Sequence, residues 1–141
     1  MREIVVCGRK VSMPSPVYIL PETVQVSKDM KIVRGKCLFP SSDPSIGDRI
    51  DHANICHEMF VVWNCAHIGA SFNGWKRLFA IEVHQKVKGL TPPDTEIDFV
   101  AQFTDVRAYG GRVVGSAKAE FSLNSKTLLL VDVDKFIEEK V

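Results

Sequence analysis

The sequence has little of what would assign it at once to a membrane, nucleic-acid-binding or secreted class. Its 18 Lys and Arg nearly balance 17 Asp and Glu, for a formal net charge of +1, so charge predicts no nucleic acid or membrane surface as a partner. No apolar run approaches the roughly 20 residues of a membrane span. The first residues are too short and too interrupted to form a signal peptide. We therefore expect a cytoplasmic protein.

The sequence also lacks the cysteine spacing of a disulfide framework or a metal site. The four cysteines, Cys7, Cys37, Cys56 and Cys65, form no C-x-x-C pair, and none has a histidine at the spacing of a metal ligand. Cys56 and Cys65 fall in a predicted apolar helix, where Cys behaves as a small hydrophobic residue. We predict four reduced thiols, no metal site and no cofactor.

The size and composition are those of one soluble domain. The chain has 141 residues, of which 45% are hydrophobic and 25% charged. Such a chain buries enough surface to fold without a disulfide or a metal. We predict a single domain over residues 1–141.

The pattern of apolar and turn-forming residues predicts strands on both sides of one long helix. Residues 1–16 contain one short strand-like piece that ends at Pro14 and Pro16. The charged tail, 134–141, is predicted to form a helical turn. The other predicted elements are a helix from Asn54 to Ala70 and strands at 22–27, 31–39, 78–87, 96–106, 112–123 and 127–133.

The predicted helix has a middle segment, Met59 to Trp63, that is apolar on every side. A helix of this kind is buried all round, and Asn73-Gly74 is typical of the end of such a segment. An antiparallel sheet with one helix on one face buries that helix by curving around it. The sequence therefore predicts the α+β hotdog fold, with a generic α+β sandwich as the alternative.

Polar residues occur in and just before this helix, where a dry interior is expected. A buried polar group without a partner costs on the order of 1–3 kcal/mol, so the group indicates either a hydrogen-bond network or a functional site. Backbone N–H groups at the helix start favour a developing negative charge there. The polar residues are Asp48, His52, Asn54, His57, Glu58, Asn64 and His67.

Helical geometry separates the members of this group. His57 and Asn64 share one face two turns apart, His67 lies near that face, and Glu58 is rotated by about 100° from His57. Several have a structural alternative: Asn54 or Asp51 as an N-cap, Glu58 in a capping interaction, His57 partly exposed, and His67 as a satisfied structural histidine. Asn64 has the weakest alternative, because Asn is unfavourable inside a helix.

The string Asp48-x-x-x-His52-x-Asn54 resembles the D-x-x-x-H-x-N signature of many hotdog acyl-CoA thioesterases. Together with Glu58 and Asn64 it is most similar to the FcoT-like long-chain thioesterases, some of which act on carrier-protein-bound chains. Two differences stand out. The interval from Asn54 to Glu58 is one residue longer than in those relatives, and the tyrosine that precedes their His-x-Asn is missing.

The resemblance implies a homodimer with sites at its interface and an acyl-CoA or acyl-carrier-protein substrate. The acyl chain would enter a tunnel lined by helix and sheet. Trp63, His67 and Arg49 are the candidate substrate-binding residues, and Lys76 and Arg77 are further basic residues near the predicted mouth.

We interpret the reaction as thioester hydrolysis. Asp48 or Glu58 would activate water as the general base, and Asn54 or Asn64 would orient the water or the thioester. His57 or His52 could replace the carboxylate as base. No G-x-S-x-G elbow is present for a nucleophilic serine. One alternative is a 3-hydroxyacyl thioester dehydratase using His52 or His57 with Glu58; another is a non-catalytic acyl-binding protein.

Overall fold

A computed structural model describes residues 2–47, 53 and 55–140. Within them, the chain forms a six-stranded antiparallel sheet, a separate two-stranded hairpin, one long helix and two short helical turns. The elements are β1 (Arg2–Val6), β2 (Arg9–Met13), a 3-10 turn (Pro21–Thr23), β3 (Gln25–Val26), β4 (Ile32–Cys37), α1 (Pro44–Gly47), α2 (Ile55–Asn73), β5 (Leu78–Val87), β6 (Ile97–Tyr109), β7 (Arg112–Leu123) and β8 (Lys126–Glu138). The hairpin comprises β1 and β2, and the sheet order is β3-β4-β6-β7-β8-β5.

The long helix α2 extends three residues beyond its predicted end at Ala70, to Asn73, and it stops at the predicted Asn73-Gly74 signal. Gly74 has a positive φ of 71°, a backbone conformation that glycine adopts without steric cost. The Asn73 side-chain amide donates hydrogen bonds to the carbonyl oxygens of Gly69 and Met30, both at 2.8 Å. These bonds fix the last turn of α2 to the loop before β4.

The predicted burial of α2 on all sides is only partly correct. Its inward face is buried, but Trp63 is 44% exposed and Met59 and Val62 are half-buried. The reason is that this side of the helix lines a cavity instead of packing directly on the sheet.

The N-terminal residues form a hairpin, where the sequence predicted only one strand-like piece. Cys7 and Gly8 make its two-residue turn with φ values of 50° and 79°, the positive pair that suits a tight hairpin. Val6 and Met13 are fully buried, and Arg9 lies 4.7 Å from the ring centroid of Phe72 on α2. The hairpin therefore covers part of the helix.

Two other predicted elements are wrong. Residues 22–27 are not one strand, because Pro21 begins a 3-10 turn in which Thr23 Oγ1 donates to the Leu20 carbonyl at 2.7 Å. The tail is not helical. It continues β8 as far as Glu138, since Phe136 is buried and Glu138 lies opposite Leu78 of β5.

The core lies between α2 and the sheet. Phe103 of β6, Phe136 of β8 and Trp75 form an aromatic cluster with ring centroids 5.6 to 6.2 Å apart. The observed order of strands, long helix and antiparallel meander agrees with the predicted α+β fold class. Across the described residues, no helix is both long and apolar enough to cross a membrane.

Candidate active site

Four of the predicted site residues lie outside the described part of the chain: Asp48, Arg49, His52 and Asn54. Their predicted roles are therefore untested. The remaining candidates are all on α2: His57, Glu58, Trp63, Asn64 and His67.

Three of these helix residues are buried polar groups. His57 and Glu58 are each 5% exposed, and Asn64 is 1% exposed. They lie on the inward face with Val61, Cys65 and Ile68. His57 is therefore not partly exposed, which removes that structural alternative.

The ring of His57 contacts residues that the sequence did not single out. Its Nε2 atom lies 3.0 Å from Ser45 Oγ, and Ser45 Oγ donates to Asp43 Oδ1 at 2.7 Å. Tyr18 Oη donates to Asp43 Oδ2 at 2.8 Å. The rings of Tyr18 and Phe39 pack against the imidazole with centroids 6.0 and 6.4 Å away.

This network has clear electrostatic effects. Hydrogen bonds from Ser45 and Tyr18 lower the pKa of Asp43. Burial, and then the bond to Asp43, raise the pKa of Tyr18 to about 12. Burial lowers the pKa of His57, and the nearby charge of Asp43 opposes that shift. At neutral pH, the carboxylate is thus ionised and the phenol protonated.

A backbone hydrogen bond connects the loop after β5 to the segment before α2. Thr91 is buried, and its carbonyl accepts the backbone N–H of Ala53 at 2.9 Å. This contact ties the loop to the segment before α2. Thr91 had no predicted role, because nothing in the local sequence marks it as buried.

An apolar cavity of about 470 Å³ lies beside α2. That volume is within the range of roughly 300–1,000 Å³ typical of small-molecule sites. The helix contributes Met59, Val62, Trp63, Cys65 and Ala66, and strands β5 to β8 supply the opposite wall. Among the described residues of the lining, Arg77 and Lys118 are charged.

The cavity divides the predicted residues into two sets. Glu58 lies one turn before Val62 and two turns before Cys65 on the same strip of helix, and both of those residues line the cavity. Trp63 lines it directly. Asn64 and His57 point to a different side of α2, since about 100° separates successive residues around a helix.

Some buried polar atoms have no hydrogen-bond partner among the described residues. They are Asn64 Oδ1, His67 Nε2 and Thr91 Oγ1. The His67 ring lies 6.1 Å from that of Trp63. Burial, and then the charge of Arg77, lower the pKa of His67. The side chain is therefore neutral near pH 7.

Both cysteines in the core are poor nucleophiles. Burial raises the pKa of the Cys65 thiol. Burial, then Cys65 and Glu58, raise that of Cys37. A protonated thiol is unreactive, so the cavity-lining Cys65 is inert. None of the four cysteines forms a disulfide.

One group of side chains has the composition of a metal site. The ligand atoms of Glu82, His84 and Asp134 lie within 4.8 Å of one another on β5 and β8. All three are exposed, and His84 Nε2 is 2.8 Å from Asp134 Oδ2 and 3.3 Å from Glu82 Oε1. Their arrangement is accounted for by solvated surface ion pairs.

No protein-family model matches the chain, and no curated protein matches its sequence. Solved structures do match. One, described as a thioesterase superfamily protein, has a TM-score of 0.59 at 11% identity and covers 82% of this chain. The chain spans about half, 52%, of that protein's length.

Two further structures match over most of both chains. A probable thioesterase from Bartonella henselae has a TM-score of 0.56 at 9% identity, covering 77% of this chain and 89% of that one. The E. coli PaaI protein from the phenylacetic acid degradation operon has a TM-score of 0.55 at 13% identity, covering 82% and 81%. The chain therefore has the hotdog fold of these thioesterase-superfamily structures, as its sequence predicted.

Proposed function

We propose that the protein hydrolyses acyl thioesters, with the acyl group in the apolar cavity. The observation that carries this proposal is the position of Glu58. It is a buried carboxylate on the helix strip that continues into the cavity wall. Glu58 is not itself among the described residues that line the cavity, so we place the attacking water at the end of the acyl site nearest to Glu58, where a carboxyl group can act as general base. The thioesterase names of the similar structures add support at the level of the fold.

The proposed reaction uses water as the nucleophile. Glu58 accepts a proton from water as the water oxygen bonds to the thioester carbonyl carbon. The backbone N–H groups at the start of α2 stabilise the oxyanion. The C–S bond then breaks, and the departing thiolate takes the proton. Asp48 is the second candidate for the base.

The remaining site residues keep the roles predicted for them. Asn54 or Asn64 would orient the water or the thioester, and His57 or His52 is the alternative base. Asn64 and His57 both face away from the cavity side of α2. Asn64 would therefore contribute indirectly, and His57 would act as base only on a thioester held at the start of the helix. Water is favoured over Cys65 as nucleophile, since burial keeps that thiol protonated.

For the substrate, we propose acyl chains carried by coenzyme A or an acyl carrier protein, as in the FcoT-like enzymes. The described residues of the cavity lining are apolar apart from Arg77 and Lys118. An apolar lining would suit an alkyl chain, and the two basic residues would suit the anionic groups of the carrier at the entrance. Arg77 is held by Glu139 at 3.1 Å and lies 4.8 Å from the ring centroid of Phe79. Arg49 and His67 are further proposed contacts, with Trp63 against the acyl chain.

We further propose a homodimer formed by β5. This strand pairs with β8 on one side and ends the sheet on the other. Phe79, Ile81 and Val87 are 42%, 59% and 54% exposed along it. Edge strands with exposed apolar side chains are typical sites of strand pairing. A second copy there would also cover the cavity wall at Phe79.

The proposal is tested by incubating the protein with acyl-CoA esters of increasing chain length and measuring free thiol with a thiol reagent. Thiol release by the wild type, lost in Glu58→Gln and kept in Glu96→Gln, is the expected result. Glu96 is an exposed glutamate in the turn before β6 and serves as a matched control. Enoyl-CoA hydration without thiol release would favour the dehydratase. Thermal stabilisation by acyl-CoA without either reaction would favour an acyl-binding protein.

A further inference from the structure

A chain of hydrogen bonds connects the N-terminal segment, the α1 turn and the start of α2. It runs from Tyr18 through Asp43 and Ser45 to the ring of His57. We infer that Asp43 and Ser45 are positioning residues that hold His57 as the neutral tautomer with its proton on Nε2, so that Nδ1 is the basic atom of the ring. The catalytic meaning of this assignment rests on the proposed function, but the assignment itself does not.

The argument begins at Asp43, which receives three hydrogen bonds. Tyr18 Oη donates to its Oδ2 at 2.8 Å, while Ser45 Oγ and Ser45 N donate to its Oδ1 at 2.7 and 3.0 Å. These donors lower the pKa of the carboxyl, so Asp43 is ionised. An ionised carboxylate only accepts hydrogen bonds. The hydrogen between Asp43 and Ser45 Oγ therefore belongs to Ser45.

The next step concerns the single hydrogen of the Ser45 hydroxyl. A serine hydroxyl can donate only one hydrogen bond, and that hydrogen is directed at Asp43. The 3.0 Å contact between Ser45 Oγ and His57 Nε2 is then a hydrogen bond only if Nε2 carries a proton and donates it. If Ser45 Oγ instead donated its hydrogen to His57 Nε2, no hydrogen would lie between Ser45 Oγ and Asp43 Oδ1. Lone pairs of these two oxygens would then face each other at 2.7 Å.

The final step concerns the charge of the ring. His57 is 5% exposed, and burial lowers its pKa, so the imidazole carries one proton near pH 7. With that proton on Nε2, the lone pair is on Nδ1. The rings of Tyr18 and Phe39 flank the imidazole and restrict its rotation. In the role of alternative base, His57 would accept the proton on Nδ1.

The test is long-range proton–nitrogen NMR of the histidine rings in 15N-labelled protein at pH 7.5, without substrate. We expect His57 to show a protonated Nε2 and an unprotonated Nδ1. Asp43→Ala releases the Ser45 hydroxyl to donate to Nε2, so the His57 signals should shift toward the Nδ1-protonated form. Ser45→Ala removes the acceptor and should give a mixture of the two tautomers.

Two controls separate this effect from a loss of structure. Ser45→Thr keeps the hydroxyl and should keep the Nε2-protonated signals. Ser42→Ala, at an exposed serine of the same segment, should change nothing. Unchanged signals of the exposed His84 and an unchanged thermal transition report that each variant is folded.

The outcomes distinguish this inference from the proposed function. A wild-type His57 with its proton on Nδ1, or signals that do not respond to Asp43→Ala and Ser45→Ala in folded protein, would overturn the tautomer assignment even if thioesters are hydrolysed. The expected tautomer in a protein that releases no thiol from acyl-CoA would support the assignment and count against the hydrolase.

Discussion

Phe103 of β6 lies directly against the backbone of Gly69 on α2, with no room between them for a side chain. A Cβ atom placed on Gly69 would overlap the aromatic ring of Phe103. Trp75 and Phe136 pack against Phe103 at centroid distances of 5.6 and 5.9 Å, so the ring can move only on the side where it lines the cavity. The distance between helix and sheet is therefore set by a glycine.

We expect Gly69→Ala to destabilise the protein. In an exposed helix the same change stabilises by about 1 kcal/mol, but here the added methyl group overpacks the core at a cost of roughly 1–3 kcal/mol. Urea unfolding measures the difference, with Ser71→Ala as the control on the same helix. A more stable Gly69→Ala protein would show that the ring of Phe103 moves freely.

Replacing Glu58 by Gln tests the proposed base. The amide is almost the same size but cannot accept a proton, so we expect kcat for thioester hydrolysis to fall by roughly 10²- to 10⁴-fold. Thiol release under saturating acyl-CoA measures the loss, and a thermal melt checks the fold. A Gln variant with wild-type kcat would transfer the role to Asp48 or to a histidine.

The side chain of Asn64 is expected to lower the free energy of unfolding while it supports thioester hydrolysis. It is 1% exposed, and its Oδ1 has no hydrogen-bond partner among the described residues. Asn64→Leu keeps the branching and the number of side-chain heavy atoms and removes this buried polar atom, so the free energy of unfolding should rise by about 1 kcal/mol. Thioester hydrolysis should fall in the same protein. Loss of both stability and activity would assign Asn64 a structural role.

The proposed dimer predicts that a charge on β5 separates the subunits. Ile81 is 59% exposed on this edge strand, and Ile81→Lys would place like charges near one another across a β5–β5 pair. Analytical ultracentrifugation should show a dimer for the wild type and a monomer for the variant. Leu90→Lys, at a 66% exposed residue in the following turn, is the matched control and should remain dimeric.

Protonation of His57, which is buried, and His67, which is half-buried, should make stability fall in mild acid. Burial lowers the pKa of both His57 and His67 in the folded protein. The unfolded chain therefore binds more protons than the folded one below about pH 6.5, the ordinary value for histidine. The free energy of unfolding should be constant above that pH and decrease as the pH falls below it.

Urea unfolding between pH 5 and pH 7.5 measures this dependence. His67→Gln should reduce the slope of stability against pH, because one of the two histidines with a lowered pKa is removed. His84→Gln, at an exposed histidine, is the control. Equal slopes in wild type and His67→Gln would show that the ring of His67 gains protons as readily when folded as when unfolded.

The strands that were predicted best are those with local signals at both ends. β5 and β7 have the predicted bounds, Leu78–Val87 and Arg112–Leu123, because turn residues flank runs of β-forming residues. β8 was predicted too short, since the charged residues after Asp134 conceal the buried Phe136. The extension depends on pairing with β5 and β7, which a local pattern does not contain.

In the candidate site too, features with a local sequence signal were predicted, and contacts between distant residues were not. The position of His57, Glu58 and Asn64 on α2 followed from the sequence, because polar residues in an apolar helix are a local anomaly. Their partners did not. Tyr18 and Asp43 are 25 residues apart, and no pattern in either segment indicates that they meet. The cavity likewise depends on four strands that come together only in the fold.

The position of β8 within the sheet has a consequence for how the protein forms. It is the last described strand in the chain, yet it lies between β7 and β5, and Leu78 of β5 has its partner 60 residues later at Glu138. During synthesis at about 5–20 residues per second, β5 therefore emerges seconds before β8, its partner strand among the described residues. Until β8 is made, the apolar side chains of β5 lack the neighbouring strand that completes the sheet. A ribosome that stalled in that interval would therefore hold a partly folded chain with an exposed apolar strand that is prone to aggregate.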